Sequence, residues 1–255
     1  MSKLFDLSGK VAVITGGSRG LGLEMARAFA AHGADIVIAS RKFDVCQAVS
    51  EELHREYGVS TLPIAFHAGR WDDAARLIET VQQTFGRLDI LVNNAGASPH
   101  YLSLPAISEE LWDKVLDLNL KGPFRLSVLA AEFMAKGGNT GSIINISSAS
   151  ALLPSAHELP YAMAKGALHT LSASLSTLYG GKVRVNVIVP GAFLTDISKA
   201  WSEEMHQRIR QGVPMGRAGQ PSEIVGAALY LASDAASYTT GAVIKVDGGM
   251  AFSRG

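Results

Sequence analysis

Short runs of apolar, largely β-branched residues recur along the chain at residues 10–15 (KVAVIT), 35–40 (DIVIAS), 62–66 (LPIAF), 88–93 (LDILVN), 142–147 (SIINIS), 183–189 (VRVNVIV) and 242–246 (AVIKV). Apolar residues stand at consecutive positions in these runs, the pattern of strands covered on both faces. Segments of helical period fill the gaps. Residues 21–31 are Ala/Leu-rich and run to a stop at Gly33; residues 73–85 end before Gly86. A further helix is predicted to start near Pro160 and stop at Gly180 and Gly181. Its positions Ala164, Leu168, Leu171, Leu175 and Leu178 form a stripe spaced by four and three, expected to be buried. Seven strands alternating with helices predict an α/β fold, a Rossmann-type doubly wound seven-stranded parallel sheet with helices on both faces. No linker divides the chain, so residues 1–255 are read as one dinucleotide-binding and catalytic domain. Residues 191–221 are rich in Gly and Pro and poor in strand signals. They are expected to form a loop-and-helix excursion over the carboxyl ends of the strands, where such sheets bind ligands.

Composition narrows the function classes. The chain has 255 residues, 47% hydrophobic and 18% charged, enough for a large core. Lys plus Arg (23) balances Asp plus Glu (23), which argues against nucleic-acid or acidic-membrane partners. The one cysteine, Cys46, allows no intramolecular disulfide and fits a reducing compartment. No apolar leader opens the sequence and no run reaches the ~18 apolar residues of a membrane span, so a soluble cytoplasmic protein is expected. There is no HExxH motif and no Cys/His cluster, hence no metal site in the pattern.

Candidate chemistry begins where the first strand meets the first helix, in VITGGSRGLG. Gly16, Gly20 and Gly22 are spaced G-x-x-x-G-x-G. Such a turn is tight, lets backbone approach a pyrophosphate and presents helix N–H groups to it. At the end of the second strand, where an acid would bind a ribose 2′-OH, stand Ser40 and Arg41 (ASRK). Arg19, within the glycine turn, is a second cation. Two guanidinium groups suit a 2′-phosphate by charge and bidentate geometry, which favours NADP(H), with NAD(H) as the alternative.

Five motifs then occur in a telling order: TGGSRGLG, NNAG (93–96), NISS (145–148), YAMAK (161–165) and PG (190–191). In these the whole chain resembles the classical short-chain dehydrogenases/reductases. The resemblance implies a nicotinamide cofactor and a homotetramer or dimer. It implies that Tyr161 is the catalytic acid/base and Lys165 its partner. Ser148, thirteen residues before Tyr161, would polarise the substrate, and Asn119 would hold a water in a proton relay. Cofactor contacts would come from Gly16, Ser18, Arg19, Gly20, Leu21 and Gly22; from Ser40, Arg41, His67 and Ala68; from Asn94, Ala95 and Gly96; from Tyr161 and Lys165; and from Pro190, Gly191, Phe193 and Thr195. At His67 the chain departs from the family, where an Asp after the third strand commonly meets the adenine amino group. Here an adenine contact and a plain loop histidine stand side by side.

The chemistry explains why these residue types are needed. Reducing a ketone by hydride transfer leaves an alkoxide that requires a proton. A free tyrosine has a pKa of ~10, and a nearby ammonium would lower it. Tyr161 and Lys165, four apart, lie within ~40° of each other on a helix. The Ser148 hydroxyl can donate to the same carbonyl oxygen. The substrate pocket is expected among Ser98, Pro99, His100, Tyr101, Leu152, Leu153, His157, Phe193 and Trp201, a mixed apolar and aromatic set suited to a neutral or partly apolar carbonyl compound. The chain resembles both the 3-oxoacyl-carrier-protein reductases and the sugar/polyol dehydrogenases of the family; it has no basic patch for an acidic carrier. NADPH-dependent ketone reduction is the first reading. An NAD-dependent sugar, polyol or alcohol dehydrogenase is the alternative, and a non-catalytic dinucleotide sensor a further one, against which the filled tetrad argues. The apolar helical stretches around 116–134 and 168–179 and the C-terminal residues 243–252 could serve as subunit contacts or as core.

Overall fold

The computed structural model describes residues 3–138, 140–196, 198 and 201–251. Seven strands, β1 (Val11–Thr15), β2 (Asp35–Ser40), β3 (Thr61–Ala65), β4 (Ile90–Asn93), β5 (Gly141–Ile146), β6 (Val183–Pro190) and β7 (Val243–Val246), form one parallel sheet in the order β3-β2-β1-β4-β5-β6-β7. Each sequence-predicted strand is present, with ends shifted by one or two residues. Register is set by pairs such as Val11 with Asp35, Ala12 with Ile90 and Ile90 with Ser142. The strand order reverses between β1 and β4, and at such a switch point the flanking loops part to leave a crevice at the carboxyl ends.

Helices α1 (Gly20–Ala31), α2 (Phe43–Tyr57), α3 (Trp71–Phe85), α4 (Glu109–Leu116), α5 (Gly122–Lys136), α6 (Leu159–Tyr179), α7 (Glu203–Gly212) and α8 (Val225–Ala232) cover the sheet. Alternate strand residues feed two apolar layers. Ile14, Ile36, Ile38, Ile90 and Ile144 pack with Phe29 of α1, Leu53 of α2 and Leu231 of α8. Val13, Val37, Leu91, Ile143 and Val185 pack with Leu77 of α3, Leu126 of α5 and Leu175 of α6. Burying such side chains contributes about 1.5–3 kcal/mol each.

Two expectations change. The stripe on α6 does not extend to Leu178, which is 71% exposed. The buried face turns instead through Ala164, Lys165, Leu168, Ser172 and Leu175, because 3.6 residues per turn carries a four-three repeat slowly round the helix. The apolar stretch around 116–134 is also not one regular helix. A π-helical turn, Asp117–Lys121, joins α4 to α5. Within it the Asn119 side chain donates to the Val115 carbonyl four residues back (2.9 Å). That is the acceptor the α-helical ladder would use, so the local pattern shifts to wider hydrogen-bonded rings. Pro123 adds a position with no N–H.

At Gly122 the helix meets the loop after β3 so closely that a Cβ would overlap the Ala68 carbonyl oxygen. Gly226, in α8, would meet nothing within 4 Å. In chemical denaturation, Gly122→Ala is expected to lower the unfolding free energy by about 1–3 kcal/mol or more. Gly226→Ala is expected to raise it by about 0.5–1 kcal/mol.

Candidate active site

The glycine turn and the NNAG turn lie side by side at the switch point. Thr15 Oγ1 at the end of β1 donates to the Val92 carbonyl (3.2 Å) and accepts the N–H groups of Asn94 (3.0 Å) and Ala95 (3.1 Å). Asn94 Nδ2 donates to the carbonyls of Thr15 (3.0 Å) and Gly16 (3.3 Å). This stitching leaves no room at Gly22, where a Cβ would overlap the Gly16 carbonyl oxygen and lie 2.6 Å from Asn94 Nδ2. Helix α1 opens at Arg19 in extended conformation, with no side chain capping its first turn. Those N–H groups are therefore presented to the crevice as an anion site.

Beside them, Ser18 Oγ bonds Ser40 Oγ (3.1 Å), tying the turn to the end of β2. Arg19 and Arg41 directly follow these two serines. Both are exposed and make no ion pair among the described residues. Across the crevice runs the chain after β6. Thr195 lies close to Gly20, and a cleft of about 370 Å³ is lined by Gly20, Leu194, Thr195, Asp196, Ser198 and Pro221. Crowded glycines, an uncapped helix start and two unpaired guanidinium groups fit a dinucleotide with an extra phosphate.

Several predicted contacts prove to be structural in their side chains. The Phe193 ring is buried against Gly219, so only its backbone can face a ligand. Ala68 is buried beneath Gly122. His67 Nδ1 accepts the Gly69 N–H (3.2 Å), which puts the ring hydrogen on Nε2. Tyr101, expected in the substrate pocket, uses its hydroxyl as a staple. It donates to the Ala156 carbonyl (2.6 Å) and accepts the Leu159 N–H (2.8 Å), the first of α6. Trp201 packs edge-on against His206 and on the small cluster of Ile209, Val213 and Ala218. Within the predicted excursion, residues 197, 199 and 200 lie outside the described residues, as does residue 252 of the C-terminal stretch.

The four tetrad positions converge at the carboxyl ends of β4 and β5. Ser148 opens a 3₁₀ turn, its Oγ accepting the Ser150 N–H (3.2 Å). Lys165 is 2% exposed; its Nζ donates to the Ile146 carbonyl at 2.8 Å and stands 5.6 Å from the Tyr161 ring centroid. Gly96 makes this approach feasible: a Cβ there would lie 2.8 Å from Asn119 Oδ1 and 3.2 Å from Lys165 Nζ. Asn119 spends both amide hydrogens on the Ala97 and Val115 carbonyls, and its Oδ1 accepts the Ala97 N–H. Any water at this position is left with the second Oδ1 lone pair or the main chain.

The electrostatics differ from the simple expectation that Lys165 lowers the Tyr161 pKa. Burial pushes the Tyr161 phenol up to about 12; a hydrogen bond with Ser148 opposes the rise and the Glu158 charge adds to it. Burial pushes the Lys165 ammonium down to about 8. Desolvation is the largest cause for both groups: for the half-buried Tyr161 it outweighs the Ser148 hydrogen bond, and for the buried Lys165 it stands alone.

Sequence reasoning missed a buried polar layer beneath the site. Asn93 Nδ2 donates to Ser127 Oγ and Asn145 Oδ1, and Asn145 Nδ2 to Ser172 Oγ, all at 2.8 Å. A polar residue inside an otherwise apolar strand run was the available signal. Also missed was a chain of hydroxyls from Ser148 through Ser150 to Glu158.

Known proteins resemble this chain along nearly its whole length. The family described as Enoyl-(Acyl carrier protein) reductase matches residues 16–251. A 3-oxoacyl-[acyl-carrier-protein] reductase of Chlamydia muridarum is 37% identical over 246 residues, 96% of this chain and 98% of that protein. A probable NADP-dependent mannitol dehydrogenase of Yarrowia lipolytica is 39% identical over 253 residues, 96% of this chain and 88% of its own. The crystal structure of an NADPH-dependent 3-quinuclidinone reductase from Rhodotorula rubra superposes with a TM-score of 0.92 at 32% identity, covering 97% of this chain and 93% of that one. With its doubly wound sheet, its glycine turn and matches running along nearly the whole sequence, the chain belongs to the short-chain dehydrogenase/reductase family, oxidoreductases of CH–OH and C=O groups that work with NAD(P)(H).

Proposed function

We propose that this protein reduces a ketone to a secondary alcohol with NADPH, with Tyr161 as general acid. The observation that carries the reading is the position of the phenol, beside Ser148 and 5.6 Å from Lys165 Nζ at the carboxyl edge of the sheet, next to a crevice whose glycines and uncapped helix suit a dinucleotide. Burial pushes its pKa up to about 12, so it enters the reaction as an acid. The cofactor, bound in that crevice, supplies hydride to the carbonyl carbon. With a ketone bound, Ser148 would turn its one proton from Ser150 Oγ to the carbonyl oxygen, and Tyr161 would pass its proton to the alkoxide that forms. The Lys165 ammonium supports the phenolate left behind and has donors to spare for the cofactor's ribose.

The preference for NADPH rests on Arg19 and Arg41, which make no ion pair among the described residues, and on the lack of an acid at the end of β2. An NADP-linked dehydrogenase among the relatives and an NADPH-linked reductase among the solved structures favour the same cofactor. Residues 191–221 would close over the nicotinamide end, as part of one catalytic domain. The protein would act in the cytoplasm; among the described residues no helix is long and apolar enough to cross a membrane. Exposed apolar side chains on α5 and α6 (Phe124, Met163 and Leu178) favour a homo-oligomer, a dimer or tetramer. Light scattering is expected to return a mass at least twice the 26.9 kDa of one chain; a monomer would contradict it.

Titration of the protein with each cofactor checks the nucleotide. Arg41→Asp is expected to weaken NADPH by about tenfold or more while changing NADH little; equal losses would refute the phosphate role. Tyr161→Phe is expected to lower kcat for a reduced ketone by about 10²–10⁴-fold. In the wild-type enzyme, the reduction rate should fall as pH rises through about 8, where Lys165 loses its proton, while Tyr161 at about 12 stays protonated. A rate flat to pH 10 would contradict the role of the lysine charge.

A further inference from the structure

Glu158 takes no part in the chemistry described so far, yet it borders it. The residue immediately precedes α6, three positions before Tyr161, and is half-buried. Ser150 Oγ donates to Glu158 Oε1 at 2.6 Å, and the Ser148 hydroxyl meets Ser150 Oγ at 3.1 Å. A carboxylate only accepts, so the one proton of Ser150 is committed to Glu158, and Ser150 can offer Ser148 only a lone pair. The hydroxyl proposed to hold the substrate oxygen is thus two hydrogen bonds from a full negative charge. No Lys or Arg pairs with that charge among the described residues, and the Lys165 ammonium is directed at the Ile146 carbonyl. The charge is felt at the reacting phenol, whose pKa it raises.

We infer that Glu158 determines substrate charge: its carboxylate disfavours ketones bearing an anionic group near the carbonyl and favours neutral or cationic ones. The inference rests on the carbonyl-reductase reading above. Glu158 Oε1 is reached from Ser148 Oγ through two hydrogen bonds of 3.1 and 2.6 Å, so a ketone held at Ser148 and Tyr161 would lie in the field of this carboxylate. An anionic group on such a ketone meets like charge there, whereas an ammonium is attracted. Selection against the wrong charge is specificity by repulsion.

Three ketones of similar length separate the cases: levulinate, ethyl levulinate and 5-(trimethylammonio)-2-pentanone. Their kcat/KM values are measured with NADPH for the wild-type enzyme, Glu158→Gln and Glu158→Asp at low and high salt. The wild type is expected to prefer the ester over the acid, a preference that shrinks with added salt. Glu158→Gln should cut the ester-to-acid ratio by about tenfold or more, and lower the rate on the cation relative to the ester. Glu158→Asp, which keeps the charge, should retain the wild-type ratio. A Glu158→Gln ratio within about twofold of wild type, at a charge spacing where repulsion should be large, overturns the inference while leaving the reductase reading intact. An enzyme that reduces none of the three compounds removes both.

Discussion

A buried positive charge governs the architecture around the site. Lys165 is nearly sealed from water, and the only hydrogen bond of its ammonium among the described residues goes to the Ile146 carbonyl at the end of β5. A charge in such surroundings is tolerated only where dipoles meet it. The parallel sheet supplies one, because its strands end with carbonyls facing the crevice. The requirement reaches outward from there. Gly96 must lack a side chain to let the ammonium and Asn119 approach. The second and third turns of α6 are pinned by Ser147 Oγ, which bonds both the Lys165 carbonyl (3.0 Å) and His169 Nε2 (2.8 Å). The ammonium keeps two hydrogens for other partners, and its depressed pKa follows from the same burial.

The polar layer below the site makes this placement rigid. Asn93 and Asn145 sit at matching positions of β4 and β5. Through Ser127 and Ser172 they reach α5 and α6. Each helix that carries a tetrad residue, or continues from one that does, is thereby keyed to the strand ends. Fully satisfied buried networks of this kind specify one arrangement where apolar packing alone would tolerate sliding. The π-helical turn has a related effect on the other side, turning Asn119 onto the Ala97 backbone.

Around this fixed centre, the loops that would meet substrate are held by few contacts. The Tyr101 hydroxyl caps the start of α6 and joins two of these loops, so a residue that resembles a ligand contact is a fastener. Beside Ser148 the hydrogen-bonded chain through Ser150 ends on the Glu158 carboxylate.

The five central strands were legible in the sequence because strands buried on both faces are continuously apolar; the edge strands β3 and β7 keep apolar runs although they are only partly buried. The glycine turn was legible because a tight turn demands glycine at set spacings; the four tetrad positions followed from the family resemblance, and the fold brings them together at the strand ends. Other features depended on atoms far apart in the chain. Leu178 follows the apolar spacing of α6 yet faces outward, because rotation along a helix shifts the buried face and only the packed neighbours show where it stops. Periodicity could not reveal that Asn119 takes the Val115 carbonyl and widens a turn. Burial pushes the Tyr161 phenol up and the Lys165 ammonium down, and burial is a property of the folded interior that the local Tyr–Lys spacing does not carry. Residue types and spacing determined which groups are present and in what order. Burial and long-range contact, which exist only after folding, decided which of them are charged, which are free and which merely hold the structure together.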